Sequence, residues 1–241
     1  IVGYVNSYIN QTLNSFGESV GHLVATEGSD HVYSVFRKVF LLNFIVVSIP
    51  AIALANITNP FISWWLGSEY LLGTGTLFII LLNFYIFGMR SSAQTFKVKS
   101  GLFVQDRFSP LIQGGINLVL SLIFVRFWGI TGVLLGTTIS VLSVGFWQFP
   151  RLIYKYTFQK PLWEYFGKYI KYTAIAALAW ILSYFVGRLI PGASIWLIIC
   201  HGIISLVIPA GIYYLLLHRS EEMQSLLYTY IKPTLVKIFK R

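Results

Sequence analysis

Residues 3–22 read GYVNSYINQTLNSFGESVGH. Asn6, Asn10, Asn14, Glu18 and His22 recur every four residues. At about 100° per residue, this spacing places them along one side of a helix. Ser7, Gln11 and Ser15 join that half, with Gly3, Gly17 and Gly21. Val5, Tyr8, Ile9, Leu13, Phe16, Val20 and Leu23 fill the other half, and only Thr12, Ser19 and Val24 break the division. The stretch therefore predicts a helix with one polar and one apolar side. The rest of the chain is far more apolar, and it is expected to surround the polar side.

The composition points to a membrane protein. The chain is 56% hydrophobic and 17% aromatic, with 11% charged residues. Soluble domains carry about 25% charged residues. The mean hydropathy is +0.71. A net charge of +10 comes from basic residues bunched between apolar runs. This arrangement orients helices in a bilayer and does not form a nucleic-acid patch. Cys200 is the single cysteine, which excludes an intrachain disulfide and a multi-cysteine metal site. There is no signal peptide or initial Met, and the chain reads as the C-terminal part of a longer protein.

Six apolar runs follow the opening stretch: Val39–Ile57, Leu71–Met89, Phe108–Phe127, Ile130–Phe149, Tyr172–Ile190 and Ser194–Leu217. Each has about the 20 residues that cross a hydrocarbon core. Each must be helical, because lipid offers no partner for bare backbone groups. With the opening helix, about seven crossings are expected in an all-α, multi-pass bundle. If residue 1 is outside, 16 of the 18 basic residues fall in inside segments, and only Arg126 and Arg188 lie outside. The positive-inside rule then places the C-terminus in the cytoplasm.

Thr58–Tyr70 reads as the longest outside connection, anchored by Trp64, Trp65 and Tyr70. Phe127-Trp128-Gly129 reads as a tight turn. Pro161–Lys171 and the basic amphipathic tail Ser225–Arg241 suit the headgroup layer, where anionic bilayer lipids would meet them. Pro50, Pro110 and Pro209 are expected to bend crossings. Gly114 and Gly115, and the pair Gly132 and Gly136, are expected to let helices approach closely. Asp106 and Arg107 read as an exposed gate or a solvated turn. His201 reads as a hydrogen-bonded packing residue.

Residues 100–140, SGLFVQDRFSPLIQGGINLVLSLIFVRFWGITGVLLGTTIS, resemble the polysaccharide flippases of the multidrug/oligosaccharidyl-lipid/polysaccharide exporter superfamily. That group includes the O-antigen and capsule repeat-unit transporters. The likeness rests on an inside loop, a crossing with Asn117 and Ser121, the Gly129–Gly132 turn and Gly136-Thr137-Thr138. FRKVF at 36–40 and WWLGSEY at 64–70 are also similar. The resemblance implies the C-terminal lobe of a MATE-like two-lobe transporter, partnered by an N-terminal lobe. Residues 1–150 would supply five helices of that lobe and residues 151–171 an interfacial linker. Residues 172–217 would be two further transmembrane helices, and residues 218–241 a cytoplasmic tail. It also implies transport of undecaprenyl-pyrophosphate-linked oligosaccharide across a bacterial plasma membrane.

On that reading Asn6, Asn10, Gln11, Asn14, Glu18, His22, Arg90 and Asn117 line the substrate cavity. The opening stripe has two other readings: hydrogen-bond glue between helices or an amphipathic surface helix. Glu18 would carry a coupling proton or simply partner His22. Arg90 would meet pyrophosphate with its planar fork, or snorkel at the border. There is no GxSxG, Walker loop or HExxH, so the expectation is no enzyme, cofactor or metal. A drug exporter of the same superfamily and a membrane polymerase or acyltransferase remain as alternatives.

Overall fold

The computed structural model describes residues 3, 7, 20–190 and 194–228. Residues 20–26 are helical. Then follow α1 (Ser29–Trp65), a 3₁₀ turn (Ser68–Tyr70), α2 (Thr74–Lys99), the short α3 (Phe103–Asp106), α4 (Ser109–Trp128), α5 (Ile130–Ser143) and α6 (Gly145–Leu152). A π-helical segment (Ile153–Phe158) leads to α7 (Trp163–Arg188), α8 (Ile195–Leu217) and α9 (Glu221–Leu226). No strand occurs among the described residues. Among the described residues, six helical stretches are long and apolar enough to cross a membrane, with α3–α4 and α5 through the π segment each counting as one.

All six apolar runs fall on these helices, but several boundaries move. α1 continues to Trp65, so Thr58–Trp65 is helix and not loop, with Pro60 inside it. α2 starts at Thr74 and extends well past Met89 to Lys99. α7 starts at Trp163, before the apolar run at Tyr172. Polar and basic residues continue a helix readily once apolar neighbours nucleate it, so hydropathy marks the hydrocarbon depth and misses the helix ends.

Prolines take two different roles. Pro50 and Pro209 lie inside α1 and α8, where each removes one helical hydrogen bond. Pro110 instead occupies the first turn of α4, where its missing N–H has no helical acceptor to lose.

An aromatic spine organises the core. Phe36, Phe40 and Phe44 recur every four residues along α1, and all three are buried. Phe36 meets Phe96 and Phe158, Phe40 meets Tyr165 at a tilt, and Phe44 contacts Tyr172 and Tyr213. One face of α1 thus holds α2, α7, α8 and the π segment together.

The α4–α5 hairpin turns at Gly129, whose φ of +55° suits a residue without Cβ. A Cβ on Gly132 would stand 2.2 Å from the Phe124 carbonyl oxygen, and one on Gly136 would stand 2.7 Å from Ser121 Oγ. The small-residue contact predicted there is present. Gly114 and Gly115 differ, since nothing lies within 4 Å of a Cβ added at either. They sit on the exposed side of α4 with Leu111, Leu118 and Leu122, and do not serve close helix packing.

The two ends of the bundle are chemically distinct. Arg37, Lys97, Asp106, Lys168 and Glu222 meet in ion pairs at one end. The other end carries exposed Trp64, Trp65, Tyr70 and Trp128, as expected of an aromatic belt.

Candidate functional site

Arg90 and Lys97 lie two turns apart on α2, seven residues being close to a whole number of turns. The Phe149 ring of α6 lies against both. Arg90 Cζ is 4.9 Å from its centre and Lys97 Nζ is 4.2 Å away. Phe87 approaches Arg90 at 5.1 Å. Cation–π contact offsets part of the desolvation of two charges held at the edge of an apolar bundle.

The guanidinium of Arg90 packs on the backbone of Gly145, where a Cβ would fall 2.3 Å from Nη1. Nη1 also donates to Gln113 Oε1 of α4 at 3.4 Å. The Nε–H of Arg90 is buried without a partner, and no carboxylate pairs with this residue among the described residues. Arg90 is half-buried in a joint of α2, α4 and α6. Arg90 lies within α2, which runs on past it to Lys99.

Lys97 is paired with Asp106 of α3. Asp106 is 4% exposed, and its Oδ1 has no hydrogen-bond partner. This overturns the expectation of an exposed Asp106–Arg107 turn. The loop after α2 folds the carboxylate back under Lys97, while Arg107 stays exposed with its guanidinium over Phe108. Arg90, Lys97 and Asp106 leave one net positive charge beside Gln113. A phosphate or pyrophosphate suits such a place: Arg offers a donor fork, and Lys offers a point charge.

Asn117 is half-buried in the α4–α5 joint. Its Nδ2 donates to Thr137 Oγ1 at 3.2 Å, and its Oδ1 accepts from Ser121 Oγ at 3.0 Å. One bond crosses to α5 and the other stays within α4, so Asn117 helps to join the two helices. His22 is exposed, and its carbonyl accepts from Thr26 Oγ1 at 2.9 Å. Asn6, Asn10, Gln11, Asn14 and Glu18 lie outside the described residues. His201 Nε2 is 3.2 Å from the Ile190 carbonyl, as expected of a packing histidine.

Polar joints that the sequence reading passed over tie the remaining helices. Asn43 is fully buried and donates to the Gly88 carbonyl at 2.9 Å. Asn83 donates to the Leu134 carbonyl and accepts from Thr138. Single amides inside apolar runs are the signal that marks both. An open recess of about 320 Å³ lies between α1 and α7, lined by Tyr33, Arg37, Trp163, Glu164, Lys168 and Lys171. Its charges are largely neutralised internally. Glu222 bridges Arg37 and Lys168, and Tyr33 donates to Glu164 at 2.5 Å. The Arg90 joint differs in holding a buried guanidinium donor, Nε–H, that has no partner.

Burial by itself raises the pKa of Glu222, but it is outweighed. The hydrogen bond from Lys168, the helix backbone and Arg37 hold the carboxyl down at about 2. The ion pair at this end therefore stays charged at neutral pH. No family model, curated protein or solved structure matches the chain.

Proposed function

We propose that the chain is one lobe of a MATE-like secondary transporter that moves undecaprenyl-pyrophosphate-linked oligosaccharide from the inner to the outer leaflet of a bacterial plasma membrane. The reading starts from the resemblance at residues 100–140. The observation that carries it is Arg90, a guanidinium without a carboxylate partner among the described residues, next to Lys97 on the same helix face. A pyrophosphate headgroup enters from the basic end, where Lys97 stands near the end of α2, and reaches Arg90 about 10 Å deeper along the same helix. On the way in it competes with Asp106 for Lys97. The sugar remains hydrated and the lipid tail stays in the bilayer. The two lobes rock to expose the headgroup on the other side. The basic end faces the cytoplasm, by the charge bias of the loops.

Asp106 supports a second reading. A cation-coupled drug exporter needs a buried acid, and this carboxylate is buried at a helix joint. The Arg90→Ala variant separates the two. On the flippase reading it lowers surface glycan severalfold in cells, with protein level unchanged. Wild-type glycan in that variant removes Arg90 from the site, and with it the pyrophosphate route. Drug efflux lost together with Asp106, at intact glycan, moves the assignment to the exporter.

A further inference from the structure

Away from the basic end, α1 and α8 cross at a second polar site. Asn56 Nδ2 donates to Ser205 Oγ at 2.9 Å, and Ser205 is fully buried. Asn56 Oδ1 is buried without a partner. Asn59, one turn further along the same face of α1, gives its Nδ2 to the Leu72 carbonyl at 3.2 Å. Asn59 Oδ1 is also buried without a partner.

Two prolines add acceptors at the same residues. Pro60 has no N–H to give to the carbonyl four residues back, which belongs to Asn56. Pro209 likewise withholds its donor from the carbonyl of Ser205. The two residues that touch through Asn56 Nδ2 and Ser205 Oγ thus each carry a backbone oxygen that has lost its helical donor. Prolines survive within membrane helices where something else satisfies the released carbonyl.

The site is therefore rich in neutral oxygen and poor in donors. A single water offers two protons, fewer than the four acceptors counted here. A cation needs no acceptor of its own and suits a place where oxygens outnumber donors. Neutral amide, hydroxyl and carbonyl oxygens suit a small cation of low charge, as do the unwound or broken helices that hold sodium in secondary transporters. α1 carries no acid beyond Asp30, α8 carries none, and Glu69 in the intervening turn is exposed. Divalent ions, which want carboxylates, fit less well. We infer that Asn56, Asn59 and Ser205, with the carbonyls released by Pro60 and Pro209, form a sodium-sized cation site at the α1–α8 crossing. The site is independent of the anion joint at Arg90 and of the transport reading.

The test is thermal unfolding of the full-length protein in detergent at fixed ionic strength, with sodium, potassium or choline chloride. Sodium should raise the midpoint in a saturable way, by about 3–6 °C at ten times its dissociation constant. Asn56→Leu and Ser205→Ala should abolish the sodium response, and Asn59→Leu should weaken it at least severalfold. Asn83→Leu removes an amide whose oxygen and nitrogen are both already paired. It should melt lower but keep the response. Should one variant fail to fold, the others still decide the matter, and binding of radioactive sodium to wild type gives a second readout. Midpoints that follow ionic strength and ignore cation identity, or a full sodium response in Asn56→Leu and Ser205→Ala, would overturn the proposal.

Discussion

Gly132→Ala adds one methyl group at the tightest point of the α4–α5 hairpin. The new carbon would sit 2.2 Å from the Phe124 carbonyl oxygen, where real contacts essentially never fall below 3.0 Å. Backbone cannot rotate away as a side chain can, so α4 and α5 must part by about 1 Å, toward ordinary van der Waals separation. Opening the joint by that amount carries the 3.2 Å hydrogen bond from Asn117 to Thr137 out of range. Overpacking costs about 1–3 kcal/mol, and the lost interhelical bond adds roughly 0.6 kcal/mol. The melting midpoint in detergent should therefore fall by about 3–14 °C. Gly114→Ala is the matched control on the same hairpin. Nothing lies within 4 Å of its new methyl, and alanine favours helix over glycine by up to about 1 kcal/mol. Its midpoint should hold or rise. The reasoning about close approach is refuted if Gly132→Ala melts with wild type, or if Gly114→Ala falls as far as Gly132→Ala.

Replacing Asp106 by Asn leaves the Lys97 ammonium buried without its counter-charge, a loss of about 3–5 kcal/mol. Adding Lys97→Met should recover most of it in a double-mutant cycle, and additive losses would deny the coupling. Glu222 gives a pH signature. Its carboxyl is depressed from 4.5 to about 2, so its stabilisation is complete above pH 4.5 and lost as pH falls toward 2. The midpoints of wild type and Glu222→Gln should thus converge between pH 5 and roughly pH 2.5, and parallel curves would sink the assignment. Lys160→Ala removes an exposed pair with Asp30. Its midpoint should stay at the wild-type value, so a clear drop would show that this surface pair matters.

The spans, the turn at Gly129 and the Gly132–Gly136 contact were legible in the sequence. Each depends on properties that neighbours in the chain carry together: a run of apolar residues, a residue without Cβ, or small residues one turn apart. The bunching of basic residues was equally legible, and the structure gathers many of them at one end. The partners were not legible. Nothing local says that Asp106 turns back to Lys97 and not to adjacent Arg107, because the fold of the loop decides it. Likewise Asn117 and Asn56 look alike in a hydropathy plot. One bonds Thr137 in the next helix and Ser121 one turn along its own, while the other keeps an oxygen bare where two proline-containing helices cross. Pro110 shows the same limit, since a start and a bend differ only in where the helix begins. Sequence by itself determined which segments leave water, because transfer out of water is close to a sum over residues. Tertiary structure alone decided which polar atoms meet, because a hydrogen bond or ion pair depends on the position of two groups that the chain order does not bring together.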